Sequence, residues 1–163
     1  MIILGVDPGL RTSGYAVIEQ RQRQLQVIDA GTFNADTEPP LPNRLLQIYR
    51  DIDALLSEHN IDIMAIEQLY AHYKHPRTAI LMGHARGMFL LAAAEHKIPV
   101  DEYSATRIKK SLTGSGRAGK EQMQRSVMSQ LGLARLPTPS DVADALAAAM
   151  CCINEHNRQE ITL

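Results

Sequence analysis

The sequence predicts an α/β domain, a mixed five-stranded sheet flanked by helices. Three observations point there. Two short apolar runs, MIILGVD at the start and IDIMAIE at 61–67, read as buried strands. Two β-branched, partly alternating stretches, GYAVIEQ and QLQVIDAGTF, follow the first run and are separated by the polar Arg21-Gln22-Arg23, so the first three elements predict an antiparallel meander. Beyond 61–67, helical and strand patterns alternate.

Taken in order, MIILGVD is stopped by the turn signal Pro8-Gly9, and the meander occupies 14–20 and 24–33. After the loop ADTEPPLP, Leu45, Ile48, Ile52, Leu55 and Leu56 recur at helical spacing and predict a helix over 42–59. The strand at 61–67 precedes a long helix over 77–96, a strand over 99–103, a short basic helix over 106–112, and a helix over 120–131. The last helix begins at Ser140, behind Pro137 and Pro139, with Ser140 as its expected N-cap. This order is compatible with a ribonuclease H-like fold. No repeat, linker or low-complexity stretch calls for a second domain. One domain is expected over 1–157, with a short C-terminal tail at 158–163.

At 163 residues, 45% hydrophobic and 21% charged, the composition is that of a soluble globular protein. The N-terminal apolar run has no basic flank and meets Asp7, unlike a secretory signal. No uncharged apolar run approaches the roughly 20 residues of a membrane span, so a cytoplasmic location is expected. The cysteines, Cys151 and Cys152, are adjacent, so a mutual disulfide would be strained and a metal site would lack companions; both are expected as reduced core or interface residues.

The net charge of −1 is unevenly spread: residues 105–125 carry six basic side chains (Arg107, Lys109, Lys110, Arg117, Lys120, Arg125) against Glu121, a local +5. Within that segment TGSGRAGKEQ matches the nucleotide-loop pattern G-x-x-x-x-G-K, but the next position, which should hold a Ser or Thr for magnesium, is Glu121. The lead-in is the basic stretch RIKKSL, not a strand. Three glycines and a helix start at Lys120 suit one backbone phosphate rather than a chelated polyphosphate, so ATP is not an expected ligand. A basic helix face that is merely solvated is the plainer alternative.

Asp7 and Glu67 close apolar runs at their carboxyl ends, where sites form in open sheets with helical crossovers. In PSDVADALAAA, Asp141 and Asp144 stand three apart on one helical face. Each has a plainer reading: a turn residue before Pro-Gly, a surface charge, acids favouring a helix N-terminus. Jointly, four converging carboxylates would repel one another and need cations to stay ionised together. Hard oxygen ligands select Mg²⁺ or Mn²⁺. Two such ions about 4 Å apart would support in-line phosphodiester displacement.

The segments ILGVDPGLRTSGYAVI, AIEQLY, GHARG, EYSATRIKKSLTGSGRAGKEQMQ and SDVADALAAA, in this order over nearly the whole chain, resemble the RuvC family of bacterial Holliday junction resolvases, the crossover junction endodeoxyribonucleases. The resemblance implies a homodimeric endonuclease, dependent on two Mg²⁺ ions per site with Mn²⁺ as substitute, that nicks two opposed strands of a four-way DNA junction during recombination and repair. It places the catalytic and metal-binding acids at Asp7, Glu67, Asp141 and Asp144, and DNA contacts at Tyr70, Lys109 and Lys120. Lys110 and Arg117, in the same basic segment, join the expected DNA-binding set. Branch-migration motor proteins are implied as partners, and a membrane is not. The end of the chain, NEHNRQEITL, departs from a basic tail.

Two alternatives stay open: a ribonuclease H-like nuclease acting on structured RNA, and an inactive junction-binding scaffold. An actin-like phosphotransferase would share the first strand but needs a second lobe. His72 and His75, beside Tyr70, Tyr73 and Lys74, are expected on a mobile DNA-facing loop, with a place at the metal, direct or through a ligand, as the alternative. Met82, Met88, Phe89 and Leu90 are expected in the core or an interface. Gly83 and Gly87 leave small surfaces on the long helix, for either a partner helix or internal packing.

Overall fold

The computed structural model describes residues 1–35, 39–69 and 76–161. Strands β1 (Ile2–Asp7), β2 (Thr12–Arg21) and β3 (Gln24–Asn34) form the meander, and β4 (Ile63–Glu67) and β5 (Val100–Tyr103) complete a sheet of order β3-β2-β1-β4-β5. β1 is central, antiparallel to β2 and parallel to β4. β4 and β5 are parallel. The expected mixed five-stranded α/β sheet is therefore the fold.

Helices cover both faces. Successive side chains of a strand point to opposite faces, so β1 divides its residues between two cores. Leu4 and Val6 pack with Val17, Met64 and Ile66 against α1 (Leu41–Glu58) and α2 (Pro76–Glu95), where Ile48, Ile52 and Phe89 are fully buried. Ile3 packs with Ile18 and Ala65 against α3 (Ala105–Thr113), α4 (Lys120–Gln130) and α5 (Ser140–Ile161). On that second face α5 crosses β1 at backbone distance: a Cβ built on Gly5 would lie 2.0 Å from the carbonyl oxygen of Ala145. The run of alanines in α5 and the missing side chain at Gly5 are two halves of one contact.

Element boundaries differ from the sequence expectation by one or two residues. The largest differences are at β2 and β4, where pairing to neighbouring strands, not side-chain pattern, decides the ends. Ser140 is a correction: it is the first residue of α5, and the Val142 N–H donates to the Pro139 carbonyl, so the preceding proline stands outside the first turn in place of a serine cap. Cys151 and Cys152 are free and buried, as expected, and burial pushes both thiols up. No helix among the described residues is long and apolar enough to cross a membrane.

Candidate active site

Asp7 ends β1, and its register partner on β2 is Gly14. The turn between them is held by Ser13, which is 1% exposed: its hydroxyl accepts from the Gly9 N–H at 3.0 Å and donates to the Gly9 carbonyl at 2.8 Å. The same turn excludes a side chain at position 9, where a Cβ would lie 2.0 Å from the Thr12 carbonyl oxygen.

β4 runs beside β1 with Val6 opposite Ile66, so Asp7 and Glu67, one step further on each strand, reach the same sheet edge. Arg86 of α2 braces that edge. Its Nε donates to the Glu67 carbonyl at 3.3 Å and its guanidinium lies 2.8 Å from a Glu102 carboxylate oxygen, tying α2 to residues of β4 and β5. The first turn of α5 comes from the other side. A Cβ on Gly14 would lie 2.0 Å from the Asp141 carbonyl oxygen, so the helix starts directly against the strand position paired with Asp7.

The acids feel one another. Burial, then Asp144, Glu67 and Asp141, push Asp7 up to about 7, with Lys120 opposing. Burial and then Asp144 raise Glu67, with Lys109 opposing. Asp144 is raised by burial and by Asp141, with Lys120 and Lys109 opposing. Among the described residues, the three donor side chains whose ligand atoms lie within 4.8 Å of one another form a different group, Asp101, Cys152 and His156. Two adjoining clefts meet at Glu67. The larger, about 650 Å³, is lined by Asp7, Glu67, Leu69, Met82, Ser104 and Thr106. The smaller, about 230 Å³, is lined by Glu67, Lys109, Lys120, Met123 and Asp144.

Of the residues singled out in the sequence, Asp7, Glu67, Asp141 and Asp144 are thus brought to one edge, with Lys109 and Lys120 beside them. Lys110 and Arg117 are exposed and line neither cleft. Tyr70, His72 and His75 lie outside the described residues. Two basic side chains of the cluster carry partners: Arg107 pairs with Glu155, and Arg125 pairs with Glu121 at 2.7 Å. Glu121, the position that breaks the nucleotide pattern, thus points along its own helix. Gly114 also differs from expectation. It adopts φ +76° and its N–H caps α3 at the Lys110 carbonyl, so that donor is not offered to a phosphate. Gly116 packs on α3, where a Cβ would meet the Thr106 methyl at 2.7 Å. Sequence reasoning missed Ser13, Gly14 and Arg86 as positioning residues, and it took Met82 for core or interface. Only the spacing between Gly9 and Ser13 offered a signal, as a serine closing a turn.

The profile of the family described as "Crossover junction endodeoxyribonuclease RuvC" matches residues 3–152. A relative so described from Rhodopirellula baltica is 50% identical over 149 residues, 91% of this chain and 84% of its own length. One from Clostridioides difficile is 40% identical over 163 residues, covering all of this chain and 95% of its own. Among solved structures, Thermus thermophilus RuvC superposes with a TM-score of 0.89 at 28% identity, covering 98% of this chain and 97% of that one. The same protein in complex with a Holliday junction substrate superposes with a TM-score of 0.88 at 25% identity, covering 97% and 96%.

Proposed function

This chain belongs to the crossover junction endodeoxyribonuclease RuvC family, and on that footing we propose that it resolves four-way DNA junctions by paired, symmetric, Mg²⁺-dependent nicks. The carrying observation is the set of acids at one sheet edge, whose burial and mutual repulsion push Asp7 up to about 7.

Asp7, Glu67, Asp141 and Asp144 are the residues that would hold the metal. Their chemistry fits hard divalent cations: every donor is a carboxylate oxygen, and the set is short of positive charge. When bound, two such ions supply an activated water and charge stabilisation of the leaving oxygen. The chain's own residues do the rest. Lys109 and Lys120 flank the acids and supply the positive charge that draws a strand's phosphates to the rim. Arg86 holds the end of β4 against α2, fixing the Glu67 backbone. Met82 and Leu69 give the larger cleft an apolar wall that excludes water from one side of the acids. Lys110 and Arg117, exposed on the same basic segment, extend the phosphate path, and Tyr70 is assigned to the unpaired bases at the junction centre, where stacking is worth roughly 1 to 3 kcal/mol.

The functional unit is assigned as a homodimer built on α2. Ile80, Leu81 and Leu91 are exposed, with Ile80 at 60%. Among the described residues nothing lies within 4 Å of a Cβ at Gly87, and one at Gly83 would meet only Leu69 at 4.0 Å. This supports the partner-helix use of the two glycines over internal packing. A two-fold dimer offers its two sites to strands of like polarity. Branch-migration motors belong to the same reading as partners, with the junction itself as substrate.

Labelled four-way junction, linear duplex and structured RNA, each with Mg²⁺ and with chelator, test it. Paired nicks confined to the junction with Mg²⁺ are expected. Preferential RNA cleavage, or junction binding with no cleavage in Mg²⁺ or Mn²⁺, would overturn the proposal.

A further inference from the structure

The sequence expectation that a metal at the adjacent cysteines would lack companions is corrected by the tertiary structure. Cys152 and His156 are four apart on α5, so both side chains leave the helix on one face. That face meets β5. There the Asp101 carboxylate, the Cys152 thiol and the His156 imidazole bring an oxygen, a sulfur and a nitrogen within 4.8 Å of one another. All three converge on one atom: Asp101 Oδ2 lies 2.8 Å from His156 Nε2 and 3.6 Å from Cys152 Sγ. The Tyr103 hydroxyl donates to the same oxygen at 3.2 Å and is also hydrogen-bonded to the Cys152 thiol, so one neighbour orients two of the three groups, as partners of metal ligands do.

We infer that Asp101, Cys152 and His156 form a three-ligand site for a zinc-class divalent ion, separate from the acid edge. Donor chemistry discriminates the two places. A thiolate and an imidazole select Zn²⁺ and its borderline-soft neighbours, whereas the oxygen-only acids select Mg²⁺ or Mn²⁺. Spacing supports the choice. Tetrahedral bonds of about 2.0 to 2.3 Å put neighbouring donors roughly 3.3 to 3.7 Å apart. The sulfur–oxygen pair already stands at 3.6 Å, and the imidazole–carboxylate pair, at 2.8 Å, needs to open by roughly half an ångström. Cys152 is fully buried, while the side chains of His156 and Asp101 are 33% and 37% exposed, so an ion can enter from one side. That side opens on a depression of about 230 Å³ lined by Asp101, Tyr103, Arg107, Glu155 and His156, which leaves room for a water as fourth ligand. Coordination would displace the thiol proton to solvent, with imidazole and carboxylate binding in their deprotonated forms.

The site joins β5, the edge strand, to the second half of α5. Cys152 is eight residues beyond Asp144, about 12 Å along the helix, so the ion's role is to hold α5 on the sheet, not to take part in strand cleavage.

Full-length protein, stripped with chelator and kept reduced, should take up one equivalent of Zn²⁺ per chain that excess Mg²⁺ does not displace, with a rise in melting temperature. Co²⁺ in its place should develop thiolate-to-cobalt charge-transfer absorption, a readout that needs no variant. Cys152→Ser and His156→Ala should each weaken Zn²⁺ binding by about tenfold or more, while Asp7→Asn and Cys151→Ser leave the stoichiometry and affinity unchanged. Absence of a saturable zinc equivalent, a cobalt spectrum without the thiolate band, or a Cys152→Ser protein that binds like the parent would each overturn the assignment and leave a hydrogen-bonded contact only.

Discussion

Gly14 and Asp141 touch through their backbones: the space a Cβ at Gly14 would occupy is 2.0 Å from the Asp141 carbonyl oxygen, and Gly14 is the strand partner of Asp7. The seat of α5, and so the distance of Asp141 and Asp144 from Asp7, is set by an atom that is absent. Gly14→Ala should therefore push the helix start off the sheet. Overpacking of this kind costs roughly 1 to 3 kcal/mol, and junction cleavage should fall further than stability does. Denaturant melts beside single-turnover cleavage check this, and unchanged cleavage would show that the close approach does not position the acids.

The elevated acids make metal-free stability depend on pH. Asp7 titrates at about 7 when folded and near its ordinary 3.8 when unfolded, so the folded state binds more protons between those values. Its contribution to stability is present at low pH and is lost as pH rises through about 7, and the raised Glu67 and Asp144 act in the same sense. Asp7→Asn should stabilise metal-free protein at pH 8 by up to about 4 kcal/mol, and much less at pH 4. It should also abolish cleavage while sparing junction binding. Thermal melts at the two pH values, with and without Mg²⁺, decide the point; a parent protein insensitive to both would contradict the electrostatics.

Metal choice should separate occupancy from turnover. Chelation should stop cleavage, Mn²⁺ should restore it, and Ca²⁺ should permit junction binding without efficient cleavage, because its looser coordination orients the attacking water poorly. Brisk nicking in Ca²⁺ would count against the two-ion reading.

Lys120 is expected to meet a DNA phosphate. Lys120→Ala should lower the slope of log affinity against log salt by roughly 1, and ATP should neither compete with junction DNA nor raise the melting temperature. Saturable ATP binding lost in that variant would revive the nucleotide-loop reading of TGSGRAGKEQ.

Arg86 donates one hydrogen bond to the Glu67 carbonyl and stands in an ion pair with the Glu102 carboxylate, both at the site edge. Hydrogen bonds from a charged donor are worth about 1.5 to 3 kcal/mol. Arg86→Met should slow cleavage by about tenfold or more at saturating junction, with binding affinity nearly kept. An equal loss of binding would place the arginine on the DNA instead.

On the exposed side of the same helix, Ile80→Glu should yield a monomer with an unchanged melting temperature per chain, read by sedimentation. A dimer that survives this charge would move the interface elsewhere.

Local pattern carried most of the architecture. Apolar runs gave β1 and β4, the spacing of Leu45, Ile48, Ile52, Leu55 and Leu56 gave α1, and the strand-end positions of Asp7 and Glu67 follow from those runs alone. What stayed hidden depends on contacts between distant segments. Nothing in the neighbourhood of Gly14 announces that a helix 127 residues later will rest on it. Arg86 looks like any helical arginine until α2 is laid against the ends of β4 and β5. Cys152 sits in an apolar run that reads as core; His156 is four residues on in the same helix, but Asp101 joins them only when β5 is brought alongside. The basic cluster was legible as composition, but which of its members are paired was not, because Glu155 is supplied from the far end of the chain.

The pairings of Arg107 with Glu155 and Arg125 with Glu121 bear on how the molecule finds its substrate. They leave Lys110 and Arg117 as a strip outside any ion pair among the described residues, with Lys109 and Lys120 set against the acids, on a chain whose total is −1. In physiological salt such a strip is felt only within a Debye length of about 8 Å. Beyond that range the protein is nearly invisible to a polyanion, so ordinary duplex exerts little pull on it. Capture then rests on fit at short range, and in the proposed dimer that would reward a branched, two-fold partner able to engage two strips at once over a straight one that engages only one.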